Sequence, residues 1–306
     1  MTFFKKYFKQ NRTHIILLFV GFVFAVVSVW HWFSGNSIIY FVDSLVPLDT
    51  KNSFLRMFYN FDSHIFPWNS EPSWSWSIYW FMISAGKEIF LSLSRAQYAL
   101  YIFLLFFSLS GFYFLANYLW ASIFKNKENT NVYSIISFLF ALFYTFNLYT
   151  FYYAFFMFNP DAYIIAFLPL NLLSLFKIYP LQKEKYKVSI FWIIVFAVTA
   201  ILMSPGFGTY IFLAQYLVWI FLYLAFFVFI VRKNLSLRKV MTLIIFFILI
   251  LLSQWWWFFP ALLGFRDLYD FQSSIGTTSF FNSGFLPAQL LNSSRILGIP
   301  MMYSNP

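Results

Sequence analysis

The chain has no cysteine in its 306 residues. Disulfides, thiolate nucleophiles and Cys-ligated metals are therefore excluded. Charge is scarce too: 10% of residues are Asp, Glu, Lys or Arg, where a soluble domain carries roughly 25%. The motifs of soluble enzymes are missing. There is no G-x-x-x-x-G-K-S/T phosphate loop, no H-E-x-x-H zinc motif and no G-x-S-x-G nucleophile elbow. The glycine-rich stretch Ser204-Pro205-Gly206-Phe207-Gly208 sits between two apolar runs and reads as a turn, not a nucleotide cradle. No acid or base falls deep within an apolar run, where ion-coupled carriers place them, and no internal repeat suggests inverted halves.

What is present is apolar. Hydrophobic residues make up 61% of the chain, and mean hydropathy is +0.73, so the chain reads as an all-α polytopic membrane protein. The formal charge of +10 does not indicate nucleic acid, because the cations punctuate apolar runs instead of clustering on a water-soluble face. Aromatics reach 26%. An AT-rich genome also raises Phe, Tyr, Ile, Asn and Lys, so that number alone is no evidence of a ligand site.

Lys5, Lys6, Lys9 and Arg12 precede the run Ile15 to Phe33, which is long enough to cross a core of about 30 Å. It is too long for a typical signal-peptide core, and no small-x-small cleavage site follows, so it reads as an uncleaved anchor with a cytoplasmic N-terminus. Further spans are expected near 97–120, 132–157, 161–178, 188–204, 209–231 and 240–259, about seven crossings in all. The apolar stretch Ile78 to Ala85 is too short to cross, and 75–94 is expected to form an interfacial or re-entrant helix. With that parity, Lys125 and Lys127, then Lys177, Lys183, Lys185 and Lys187, then Arg232, Lys233, Arg238 and Lys239 join the N-terminal four on one side. That makes fourteen of the 20 cations cytoplasmic, as the positive-inside rule expects. A crossing at 75–94 would invert every later cluster.

The same count puts Asp43, Asp49, Asp62, Glu71, Glu88, Asp161, Asp267 and Asp270 on the outer side, eight of the 10 acids. Longer outer loops account for part of this bias. Asp161 follows Asn159-Pro160 and would begin a returning helix, where a negative charge complements the helix dipole. Trp255 to Trp257, before Pro260, fit the interfacial aromatic belt. His14 and His31 sit at the two ends of the first span, as interfacial histidines do.

The conspicuous polar interval is 34–76. It carries Asp43, Asp49, Asp62, His64 and Glu71 among Pro47, Pro67, Pro72, Trp68, Trp74 and Trp76. A loop this long is functional or disordered, and its aromatics argue against disorder. Six cations fall on the outer side, Lys51, Arg56, Lys87, Arg95, Arg266 and Arg295. A lipid-linked phosphate leaving group needs such cations, and a carboxylate nearby can take a proton from a sugar hydroxyl. Together these fit glycosyl transfer from a polyprenyl-phosphate sugar.

Several stretches carry a likeness: Phe41-Val42-Asp43-Ser44-Leu45-Val46-Pro47-Leu48, then Phe61-Asp62, Pro67-Trp68-Asn69, Trp256-Trp257-Phe258-Phe259-Pro260, and Leu290-Leu291-Asn292-Ser293-Ser294-Arg295-Ile296-Leu297-Gly298. In this order they resemble the integral-membrane glycosyltransferases of GT-C fold, in particular the arabinofuranosyltransferase-like and YfhO-like branch. The resemblance implies that Asp43, in the first outer loop, is the catalytic base, with Asp62, His64 and Glu71 as second choices for acid/base work or acceptor binding. It further implies a single inverting displacement at the outer face of the cytoplasmic membrane, from a polyprenyl-phosphate sugar donor to a glycan, lipid or protein acceptor of the cell envelope. Arg295, Arg56 or a bound divalent cation would offset the phosphate charge. No D-x-D or E-x-D occurs in the first loop, which leaves metal dependence open. Members of this branch continue with more spans and an outer carbohydrate-binding region. Residues 1–260 are therefore expected to form the transmembrane domain of an N-terminal fragment, and 261–306 an outer loop. A lipid-linked oligosaccharide flippase or polymerase, another multispan transporter, or a structural subunit stays open as the alternative.

Overall fold

A computed structural model describes residues 12–30, 32, 77–123, 130–147, 150–151, 161–179, 189–208 and 210–227, with 241, 244, 248, 250–252 and 254. Among them there is no strand. The helices are α1 (Arg12–Trp30), α2 (Ser77–Phe90), α3 (Leu93–Ile123), α4 (Thr130–Phe146), α5 (Asp161–Ile178), α6 (Ile190–Leu202) and α7 (Tyr210–Phe226), with a 3-10 turn at Ser204–Gly208 between the last two. The described residues from 241 to 254 are helical as well. α1, α3 and α5 are long and apolar enough to cross a bilayer. The apolar stretches Asn131–Phe146, Ile190–Leu202 and Leu213–Phe226 are shorter.

The expected helix order holds, with two differences. The run expected to continue to Met157 is α-helical to Phe146 and π-helical at Thr150 and Phe151, where the Phe151 N–H donates to the Asn147 carbonyl at 2.9 Å, and 152–157 lie outside the described residues. Asn147 accounts for the change of helix type: its side-chain amide donates to the carbonyls of Phe143 (3.2 Å) and Tyr144 (2.8 Å), and its Oδ1 accepts from the Thr150 backbone N–H at 3.0 Å. The side chain thus diverts the Thr150 amide from the regular helical ladder. The second difference is that α2 is one arm of a helical hairpin. It runs antiparallel along the start of α3, with Gly86 against Ala96, where an added Cβ would lie 3.1 Å from the alanine methyl.

Paired residues fix the sense of each helix. His14 hydrogen-bonds Tyr113, Gly21 faces Leu109, and Trp30 meets Tyr98, so α1 and α3 are antiparallel. Ser134 with Asn117 and Thr145 with Ser108 make α4 antiparallel to α3. Phe103 with Phe167, Gly111 beside Leu170 and Tyr118 with Phe176 make α5 parallel to α3. Tyr216 with Asn171 and Tyr223 with Tyr179 make α7 parallel to α5. Trp32, just past the end of α1, packs on Tyr101, in the third turn of α3. Tyr79, in the first turn of α2, interacts with the same Tyr101. α2 therefore starts at the level where α1 ends.

α5 packs between α3 and α6. Pro169 lies inside it and has no N–H for the Ile165 carbonyl four residues back. The Tyr144 hydroxyl of α4 donates to that carbonyl at 3.1 Å. Two more carbonyls near the C-terminal end of α5 also accept tyrosines, Phe176 O from Tyr118 (3.1 Å) and Tyr179 O from Tyr223 (2.5 Å). Lys177 lies 4.4 Å over the Tyr118 ring, a cation suited to the negative end of the helix dipole. Two residues past Pro169 start the polar contacts of buried Asn171. Its amide donates to Phe196 O (3.0 Å) and Thr199 Oγ1 (2.9 Å), and its Oδ1 accepts from the Tyr216 hydroxyl (2.9 Å), tying α5 to α6 and α7. Gln254 extends the set by donating to Ala200 O at 2.7 Å.

Lipid removes the hydrophobic drive between helices, so close packing of small residues and interhelical hydrogen bonds carry the association. Gly111 fits that role, since a Cβ there would approach Leu170 N at 3.3 Å and Pro169 Cβ at 3.6 Å. Ala25, Ala141, Ala166 and Ala200 are wholly buried. Large apolar side chains such as Phe19, Val27, Phe143, Ile190 and Trp219 instead point outward, as lipid-facing residues do. Tyr144→Phe is expected to lower stability by about 1 kcal/mol, and Gly111→Leu to lower it more by forcing α3 and α5 apart. Thermal unfolding in detergent checks both, and an unchanged midpoint for Gly111→Leu would contradict the close α3–α5 approach.

Candidate functional site

Asp43, Arg56, Asp62, His64, Glu71 and Arg295 all lie outside the described residues, as do the Trp255 to Trp257 run and the tail 261–306. What can be built from described residues is the frame that bounds the interval 34–76. The chain enters it from Trp32, whose ring meets Tyr101 at 5.8 Å (87°) and Phe151 at 5.1 Å. It leaves it into α2, where Tyr79 and Ile83 are buried in the core. Both flanks thus converge on one turn of α3.

Around that turn lie Tyr79, Tyr101, Tyr163 and Gln97, each almost fully buried. Three helices contribute: α2 supplies Tyr79, α3 supplies Gln97 and Tyr101, and α5 supplies Tyr163 from its first turn. The Tyr163 hydroxyl points to Met82 Sδ at 4.0 Å. Burial raises the Tyr79 phenol above its ordinary value, with Gln97 acting in the opposite direction. Tyr79 is therefore a neutral hydroxyl at physiological pH, able to donate a hydrogen bond but not to act as a phenolate base. Asp161, two residues before Tyr163, opens α5. The 3-10 turn Ser204–Gly208 packs its fully buried Phe207 on Tyr216, ring centroids 5.2 Å apart. The expected turn is thus a buried plug between α6 and α7.

Charge is sorted along the bundle. Arg12 and Lys177 lie at one end, while Lys87, Glu88, Arg95 and Asp161 lie at the end where Trp30 and Trp32 meet α3. Among the described residues no charge falls between these two levels. Nor does any group of three or more His, Asp or Glu side chains come together there.

Sequence reasoning missed the tyrosine cluster and the Asn171 contacts. With 21 tyrosines in the chain, no single one stands out. Asn171 did carry a signal, a lone amide in the apolar run Leu168 to Leu173, since a polar group at that depth must find a partner. No known family matches the chain, and neither a curated protein nor a solved structure does.

Removing the Trp32 ring deletes an edge-to-face pair with Tyr101. Such a pair contributes about 0.5–1.5 kcal/mol, so Trp32→Ala is expected to raise the rate of protease cleavage within 34–76 by about 2- to 10-fold. Limited proteolysis of the intact chain in detergent measures this, with cleavage in 124–129 as internal reference. An equal rise at both places would mean general destabilisation and not a released anchor.

Proposed function

We propose that this chain is a polytopic membrane glycosyltransferase that moves a sugar from a polyprenyl-phosphate donor to a cell-envelope glycan, lipid or protein acceptor at the outer face. One observation carries the reading: the acid-bearing interval 34–76 leaves from Trp32 and returns at Tyr79 to the same turn of α3. This tethers Asp43, Asp62, His64 and Glu71 by both flanks to the end of the bundle that also holds Asp161. The sorted charges and the alternating helix senses support the proposed arrangement of seven crossings, with the basic end in the cytoplasm. The resemblance of the Asp43 to Leu48 and Leu290 to Gly298 stretches to GT-C enzymes supplies the reaction class.

In the proposed step, the Asp43 carboxylate takes the proton of an acceptor hydroxyl. The hydroxyl oxygen bonds to the anomeric carbon as the bond from that carbon to the phosphate oxygen breaks, which inverts the centre. The polyprenyl phosphate keeps the electron pair, and Arg295 and Arg56 offset its charge. A flippase would need a polar path through the bundle. The buried amides and hydroxyls joining α5, α6 and α7 bond instead to one another and to backbone carbonyls, which favours transfer over transport.

Asp43→Asn is expected to lower transfer of labelled sugar from a polyprenyl-phosphate donor by about 100-fold or more, at unchanged protein level. Undiminished transfer would remove Asp43 as the base. Because the chain has no cysteine of its own, Ser44→Cys and Asn126→Cys report the proposed sidedness directly. An impermeant maleimide applied to intact cells is expected to label the first and spare the second, and the opposite pattern would reverse the orientation.

A further inference from the structure

We propose that the corner joining α2 to α3, Ile89 to Leu91, is seated in the outer headgroup layer of the bilayer, with Lys87 and Arg95 meeting lipid phosphates. These three consecutive apolar residues are exposed, Ile89 by 72% and Leu91 by 87% of the whole-residue maximum. Leu91 also has φ of 55°, a left-handed conformation that glycine or asparagine adopts at lower cost. Neither the backbone nor packing inside the protein accounts for a leucine there, whereas contact with an apolar phase outside it does.

The depth brings the corner to the outer edge of the headgroup layer when α3 is strongly tilted. Trp30, at the end of α1 and exposed on the bundle surface, meets Tyr98 and marks the aromatic belt. Leu91 lies seven residues before Tyr98 in sequence, so at about 1.5 Å per residue the corner stands about 10 Å beyond that belt. The polar layer adds roughly 5–8 Å on each side of the hydrocarbon, so the tip stands a few ångströms past its far edge when α3 is upright and reaches that edge as the tilt approaches about 40°, the upper end of the usual range. Charge fits as well. Lys87 precedes the tip and Arg95 follows it, with Glu88 the acid between them, and an apolar tip between cations is the pattern of segments that lie in the interface. α2 as a whole does not lie on the membrane, because its Tyr79 and Ile83 face the protein core. The corner alone makes the contact.

A chain without cysteine permits a direct test. Leu91→Cys in the full chain is labelled with an environment-sensitive NBD dye and reconstituted into phosphatidylcholine–phosphatidylglycerol vesicles. Blue-shifted emission is expected, quenched more strongly by a nitroxide lipid labelled near the headgroup than by one labelled at the acyl-chain end. Phe143→Cys, on the exposed face of α4, serves as the deep reference. Ile89→Cys repeats the measurement if the first variant fails to fold. A water-like emission overturns the proposal. A blue shift without lipid quenching overturns it too, because the tip would then be covered by another part of the chain or by a second copy. Adding Lys87→Gln and Arg95→Gln is expected to weaken the quenching, and equal quenching would overturn phosphate as the partner of those cations.

Discussion

The backbone carbonyls of α5 set the main condition that this bundle meets. A helix within lipid must satisfy every polar backbone group inside the protein, since no water is at hand. Pro169 breaks that rule in the middle of α5 by leaving the Ile165 carbonyl without an amide, and Tyr144 restores it from α4. Tyr118 and Tyr223 do the same for carbonyls near the end of the helix, from α3 and α7. Three tyrosines on three helices therefore bond to one backbone, and each bond also fixes a register between two helices. Tyrosine suits this because its ring packs as an apolar body while its hydroxyl reaches past it to a carbonyl.

The other contacts follow from where that condition puts α5. Gly111 lets α3 approach the proline, and Asn171 binds α6 and α7 through a fully paired amide. Because every hydrogen bond here replaces an unpaired group in a medium of low polarity, the set resists sliding or rotation of any one helix. The result is a rigid pair, α3 and α5, with α1 and α4 on one side and α6 and α7 on another. The end of this pair at Tyr101 and Tyr163 is then a fixed platform. The interval 34–76 is anchored on it from both flanks, and α2 leaves it outward as the first arm of a hairpin. A rigid frame beneath a long loop is what positions catalytic groups, since loop residues gain precision only from the scaffold that holds their ends.

Much of the fold was legible in the sequence. Apolar runs of adequate length located α1, α3 and α5, and the order of the basic clusters carried the expectation that the α2 segment does not cross. Both signals are one-dimensional, depending on composition within a window and on the order of charges. The irregular turn at Asn147 was not legible, because the apolar run continues past it and only the local bonding of one side chain marks it. The Asn171 contacts were legible only as a polar residue out of place. The candidate acids were read from sequence alone, and what the structure adds to them is the convergence of Trp32 and Tyr79 on Tyr101.

The sequence by itself determined that the described segments are helical and apolar, where most of those helices begin and end, and that charge stays near the ends of the spanning runs. Those properties need no partner, because the length and hydropathy of a segment decide them. Only the tertiary structure decided which of the 21 tyrosines bond to α5, which glycine permits the closest approach, and where the two flanks of the polar interval meet. These depend on the rotation and register of each helix against its neighbours. In a sequence apolar on nearly every face, no hydrophobic stripe marks that rotation, so it emerges only when the polar groups of all the helices are satisfied together.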